Sequence, residues 1–211
     1  MRWGELRTEL NRAGLVQMGA LHEAGDTLVL VGTDQHAWHQ FTQSAEYRDD
    51  APDPLDRWSK RVLGTIGKTL DAVDTVFPSD GPPYPPFIRW ALGTGRFWSS
   101  PVGMLVHDRQ GLMFSLRGAL RFTGCLEIPA SSSPNPCDSC AERPCQTACP
   151  VDALTATEPY DVEGCKSYLR TDRGARCVDT GCLARQVCPA SQVAMRPAKQ
   201  SAFHMRAFLG R

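Results

Sequence analysis

Eight of the nine cysteines in this sequence of 211 residues crowd between Cys137 and Cys188. They fall in two motifs. The first is Cys137-Asp-Ser-Cys140-Ala-Glu-Arg-Pro-Cys145-Gln-Thr-Ala-Cys149-Pro150. The second is Cys177-Val-Asp-Thr-Gly-Cys182-Leu-Ala-Arg-Gln-Val-Cys188-Pro189, and Cys165 lies between them. Closely spaced thiolates are soft ligands for zinc or for iron–sulfur clusters. In bacterial ferredoxins the run C-x2-C-x2-C-x3-C-P wraps three thiolates round one cubane and sends the fourth to the other cluster. The x3 step before Cys149 and the two Cys-Pro endings follow that logic. Counting then gives two sets of four. Cys137, Cys140, Cys145 and Cys188 make one, and Cys149, Cys165, Cys177 and Cys182 make the other. The gap from Cys140 to Cys145 is x4, and the second motif runs x4 then x5, so the division into sets is less firmly drawn than the count. Two zinc sites could use the same eight residues. Cys125 is left over, and its place after a strand reads as a small buried hydrophobe.

The wider composition narrows the classes. Lys+Arg and Asp+Glu both number 23, and a neutral balance disfavours an electrostatic hold on nucleic acid. No run is long and apolar enough to span a bilayer. The start shows no secretory signal, so a cytoplasmic setting is expected. A reducing compartment makes a disulfide framework a poor account of the cysteines.

Other residues are weaker candidates. His36 and His39 share a helical face but lack a third ligand. Trp38, Trp58, Trp90 and Trp98 with Tyr84 and Phe87 could floor an aromatic pocket or simply fill a core. His107, at a strand end, faces a cofactor or satisfies a turn. The triplet Gly67-Lys68-Thr69 lacks the first glycine of a phosphate loop. No acid–base pair or nucleophile–histidine arrangement stands out.

These groups need elements to position them. Residues 3–24 read as one amphipathic helix through Trp3, Leu6, Leu10, Leu15 and Met18. Residues 27–32 read as a buried strand, and 36–45 as helical. Asp53 and Pro54 open a helix over roughly 54–75. A proline-rich connection, FPSDGPPYPPF, leads to a short helix near 85–93. Strands are expected at 102–106 and 112–122, joined by a turn from His107 to Gly111. The composition then divides the chain into an α/β core (1–129), a polar hinge (130–136), a cysteine-bearing domain (137–195) and a C-terminal helix (196–211).

The runs CDSCAERPCQTACPVDAL, GCKSYLR and CLARQVCP resemble the ferredoxin-like portion of epoxyqueuosine reductases and of corrinoid-dependent reductive dehalogenases. In the former, a CISYL-like segment between the motifs supplies a ligand, and Gly164-Cys165-Lys-Ser-Tyr-Leu169 is similar to it. The stretch from His107 to Leu120 resembles a second signature, HPxYGLWxAYRGAL, which also recurs in cobalamin-processing proteins. The resemblance covers about 102–190. It implies an α+β chain with a small nitroreductase-like α/β core followed by a bacterial-ferredoxin-like double 4Fe-4S module. It also implies that His107 and Arg117 are the residues to consider for binding a corrinoid or flavin. The sequence has no match to the reductases' catalytic aspartate, and about 125 residues leave little room to enclose a corrinoid. The expected function is therefore electron relay to a redox partner protein through two 4Fe-4S clusters. A corrinoid- or flavin-binding reductase or escort is the first alternative, and a zinc-stapled interaction module the second.

Overall fold

The computed structural model describes residues 2–130 and 133–210. In chain order the elements are α1 (Trp3–Arg12), β1 (Leu15–Glu23), β2 (Asp26–Thr33), α2 (Ala37–Thr42), α3 (Ala45–Arg48), α4 (Pro54–Thr69), β3 (Asp74–Val76), α5 (Phe87–Gly93), β4 (Phe97–Ser99), β5 (Leu105–His107), β6 (Leu116–Phe122), α6 (Val162–Leu169), α7 (Ala175–Thr180), α8 (Leu183–Gln186) and α9 (Ala198–Leu209). Helices and antiparallel sheets together make an α+β chain.

The chain forms two compact units, and both are discontinuous. One comprises Met1–Arg96 with Ser115–Ser132, the other Phe97–Phe114 with Ser133–Arg211. This corrects the boundary drawn from composition, which gave everything up to residue 129 to the first domain. Residues 97–114 belong with the cysteines because Val102, Val106 and Leu112 pack into one apolar cluster with Cys145, Leu154, Ala184 and Cys188. Of the expected hinge, residues 131 and 132 lie outside the described residues.

The first unit is built on a four-stranded antiparallel sheet in the order β1-β2-β6-β3. β2 sits centrally and is buried along nearly its whole length, which fits its unbroken apolar run Leu28-Val-Leu-Val31. The amphipathic helix expected over 3–24 stops at Arg12, and the rest is β1. The break falls at Gly14, whose φ is +70° and where a Cβ would come within 2.6 Å of the Ala37 backbone nitrogen. Only glycine fits such a turn. Leu15 and Met18 are fully buried as expected, but from a strand. A register shift between Gln17 and Gly19 disturbs strict alternation, which is why their spacing imitates a helix.

α4 begins at Pro54 as expected but ends at Thr69 rather than near 75. It buries Trp58, Leu63 and Ile66, and the chain then turns to pair β3 with β6. Asp53 holds the N-cap position without a side-chain hydrogen bond. A side-chain cap in this unit is found instead at Ser44, whose hydroxyl accepts from Tyr47 N. Trp38, Phe41, Tyr47 and Trp58 form edge-to-face and tilted contacts, so these aromatics are packing residues. His36 and His39 flank the start of α2, where Asp34 Oδ1 accepts from the backbone of His36 and Ala37. The strand expected over 112–122 starts only at Leu116. α5 falls where the short helix was expected.

The second unit has little regular structure. β4 and β5 form a hairpin, of which only the second strand was anticipated. The helices α6, α7 and α8 are short, and α9 packs on α7. α9 matches the expected C-terminal helix.

Candidate metal centre

Each cysteine of the second unit is set by local backbone chemistry. Asn135 Oδ1 accepts from Cys137 N at 3.0 Å, and Cys140 N returns to Cys137 O. Arg143 adopts a left-handed conformation and Pro144 opens a 3-10 turn carrying Cys145. Cys149 Sγ accepts from Ala153 N at 3.3 Å. Asp161 caps α6 by accepting from Gly164 N, and so presents Cys165 on the first turn. Cys177 lies in α7. Cys182 and Cys188 stand at the N-caps of α8 and of the following 3-10 turn.

Cys137, Cys140, Cys145 and Cys188 line one cavity. Cys137 lies within electrostatic reach of Cys188, Cys145 and Cys140. Cys177 lies within reach of Cys182, Cys149 and Cys165. The last cysteine of each motif has therefore left its own motif for the other group. Burial, and then the charge of the neighbouring thiols, pushes the pKa of Cys137 and Cys145 up. Burial does the same for Cys177 and Cys165, with neighbouring thiols adding to it. Four ionised thiolates in one half-buried place repel one another, so the donor set favours a cationic ligand that compensates them. Among the described residues no three His, Cys, Asp or Glu side chains are arranged to hold a single metal ion.

The surroundings of the two groups differ. Cys137, Cys140, Cys145 and Cys188 line a cavity whose other walls are Ser100, Pro101, Val106, Leu112, Pro136, Arg143, Pro144, Pro189 and Ala190. This cavity is almost wholly apolar. The wall supplied by the β4–β5 hairpin is held in place by a short network. Ser191 Oγ accepts from Leu112 N at 2.8 Å, and Arg185 donates to Leu112 O at 2.8 Å. Gly111, with φ of +54°, sits so close that a Cβ would meet Ser191 N at 2.5 Å. The second group is more polar. The Tyr160 hydroxyl lies near the Cys165 thiol, and Leu183 N lies near Cys177. Burial, and then the neighbouring Cys165, pushes the Tyr160 pKa up. The Tyr160 ring stacks on Phe208 at 6.4 Å, and Lys166 Nζ lies 5.3 Å from the centroid of the Phe208 ring.

The remaining candidates are occupied elsewhere. His107, 2 % exposed, organises its own turn. Its Nδ1 accepts from Arg109 N and Gln110 N, its Nε2 meets Asp108, and Phe97 packs on the ring. Arg117 belongs to the first unit, where it binds Asp56 and Ser59 Oγ. Burial pushes its pKa down, and the Asp56 carboxylate opposes that shift. Cys125 is also in the first unit and is exposed, with its Sγ 3.7 Å from Gly25 O. That corrects the reading of it as buried. The chain leaves the sheet after Phe122 and turns at Gly124, whose φ is +79°, and Cys125 follows on the exposed side. Ser100 was missed, since no motif marks a serine in a hairpin turn.

No protein-family model matches this chain, and no curated protein matches it closely enough to count.

Proposed function

We propose that this chain is an electron-transfer protein carrying two 4Fe-4S clusters. Cys137, Cys140, Cys145 and Cys188 would hold one. Cys149, Cys165, Cys177 and Cys182 would hold the other. The observation that carries the reading is that Cys188 lines one cavity with Cys137, Cys140 and Cys145, while Cys149 lies within electrostatic reach of Cys177 and Cys165. Such an exchange is how double-cubane ferredoxins bind their clusters, and isolated zinc knuckles have no need of it. When bound, each cluster would accept and release one electron at a time. The chain's residues do the rest. The apolar walls of the first group limit water, backbone N–H groups at Cys149 and Cys177 stabilise negative charge on sulfur, and Tyr160 does so at Cys165.

In this reading the cysteine-bearing unit is a ferredoxin-like module in a cytoplasmic protein. The first unit is a reduced nitroreductase-like core that serves as a docking face for a redox partner. Encounters of that kind use small interfaces. His107 and Arg117 act as structural residues, which disfavours the corrinoid or flavin alternative.

The test is anaerobic purification followed by iron, sulfide and zinc analysis with visible spectroscopy. Iron and sulfide are expected at about eight each per chain, four for each cubane, with a broad visible band that bleaches on reduction. A colourless protein loaded with zinc would overturn the proposal. Flavin or corrinoid bands that survive gel filtration would instead favour the reductase alternative.

A further inference from the structure

Ser100 opens the turn that leads out of β4. Its backbone is satisfied on both sides: the N–H donates to Met104 O at 2.8 Å, and the carbonyl accepts from Gly103 N at 3.0 Å. Its side chain is not. The residue is 6 % exposed, and its hydroxyl oxygen is buried without a hydrogen-bond partner. Folded proteins rarely leave such a group unpaired, because burial without a partner costs more than the bond would return. The other side-chain hydroxyl at this wall, that of Ser191, is engaged with Leu112 N. Ser100 lines the same cavity as Cys137, Cys140, Cys145 and Cys188, and most of the cavity's other lining is apolar. The residue that carries the unpaired hydroxyl thus lines the cavity that four cysteines also line.

We propose that Ser100 donates its hydroxyl hydrogen to a sulfur of the ligand assembly held by Cys137, Cys140, Cys145 and Cys188, and so raises the reduction potential of that site. The inference rests on the two-cluster reading. An O–H dipole directed at sulfur stabilises the more negative, reduced state more than the oxidised one, and hydrogen bonds to sulfur are among the factors that set such potentials. The low-dielectric walls of the cavity strengthen the effect. In the metal-free chain the same hydroxyl stabilises nothing. Ser100 is therefore a tuning residue supplied by a hairpin far from the cysteine motifs in sequence.

The experiment uses the full chain as wild type, Ser100→Ala and Ser100→Thr, each reconstituted anaerobically with iron and sulfide. Metal content is measured first, then each protein is titrated under paramagnetic resonance. The expected result is equal iron loading, one of the two reduction steps moved to a lower potential in Ser100→Ala, the other step unmoved, and Ser100→Thr close to wild type. Full loading with both steps unmoved in Ser100→Ala overturns the inference while leaving the two-cluster reading intact. So does a Ser100→Thr protein that falls together with Ser100→Ala, because space rather than the hydroxyl then sets the potential. A wild type that takes up no iron removes the two-cluster reading and the inference with it. Melting of the metal-free proteins gives a second check that does not depend on loading. Ser100→Ala is expected to melt at the same temperature as wild type or higher, whereas a lower melting temperature would mean that the hydroxyl already has a partner in the protein and would overturn the proposal.

Discussion

The first unit buries Leu28, Val29, Leu30 and Val31 completely along one central strand, while the second counts Cys145, Cys177 and Cys188 among its buried residues. One has a four-stranded sheet with helices α1 and α4 packed on it. The other has a two-stranded hairpin, short helices and two small apolar clusters, each containing cysteines. Apolar burial contributes about 25 cal/mol per Å², and a continuous strand and helix face gather such area readily. The second unit has less of it to gather. Several of its thiols are core residues, and on the proposed function the same thiols are ligands, so its order is expected to depend on what they bind, much as small metal-binding domains couple binding to folding.

The largest effect that could break this contrast is removal of one ligand. Cys188→Ser is expected to lower iron from about eight to about four per chain. It should also destabilise the second unit, seen as a loss of protection from hydrogen exchange in α8 and the β4–β5 hairpin, with the first unit's sheet unchanged. Cys125→Ser is the matched control and is expected to change neither iron nor exchange. A loss of iron in Cys125→Ser would show that the exposed thiol is a ligand after all.

A smaller effect separates the units from the other side. Glu46 in α3 accepts two hydrogen bonds from Arg61, and that partner holds its pKa at about 2, below the ordinary 4.5. A carboxylate depressed in the folded state stabilises above its unfolded pKa, and that stability is lost as pH falls through the folded value. The first unit should therefore weaken between about pH 4.5 and pH 2. Glu46→Gln is expected to cost about 1 kcal/mol at neutral pH and to flatten this part of the pH profile, with iron content unchanged. Denaturant unfolding followed by tryptophan fluorescence at pH 6 and pH 3 checks it. Equal pH dependence in the two proteins would remove Glu46 as the source.

The smallest effect is confined to one group of thiols. Tyr160→Phe keeps the ring stacked on Phe208 but removes the hydroxyl beside Cys165. One reduction step should move slightly lower, and it should be the step that Ser100→Ala leaves alone. If both substitutions move the same step, the two groups are not electronically separate sites.

The clustering of the cysteines is legible in the sequence, because their spacing is written along the chain. One of the two sets drawn by counting, Cys137, Cys140, Cys145 and Cys188, lines a single cavity in the fold. The helix α9 and the buried strand β2 are legible for a similar reason: a long periodic or unbroken apolar run has one physical solution. β1 is not, because its bulge places Leu15 and Met18 at helical spacing. The partnership of residues 97–114 with the cysteines is also hidden. It depends on Val106 and Leu112 meeting Cys145 and Cys188, and apolar residues carry no mark of which distant partner they will meet. Ser100 is hidden more deeply, since only the burial of its hydroxyl distinguishes it from any other turn serine.

The segment Phe97–Phe114 leaves one unit, completes the other and returns in time for β6 to pair with β2. During synthesis it emerges before any cysteine that it will pack against. At roughly 5–20 residues per second, several seconds pass before Cys188 follows and completes the cluster. Until Cys137 and Cys145 emerge, Val102, Val106 and Leu112 have no native neighbours among the cysteines and must wait in water or on a chaperone. The first unit need not wait, because β6 leaves the ribosome soon after the hairpin. A chain truncated near residue 135 and released from the ribosome should therefore already protect the sheet of β1, β2 and β6 from proteolysis while being cut within 97–114. A fragment beginning at residue 133 would carry eight of the nine cysteines yet lack one wall of the place that four of them line.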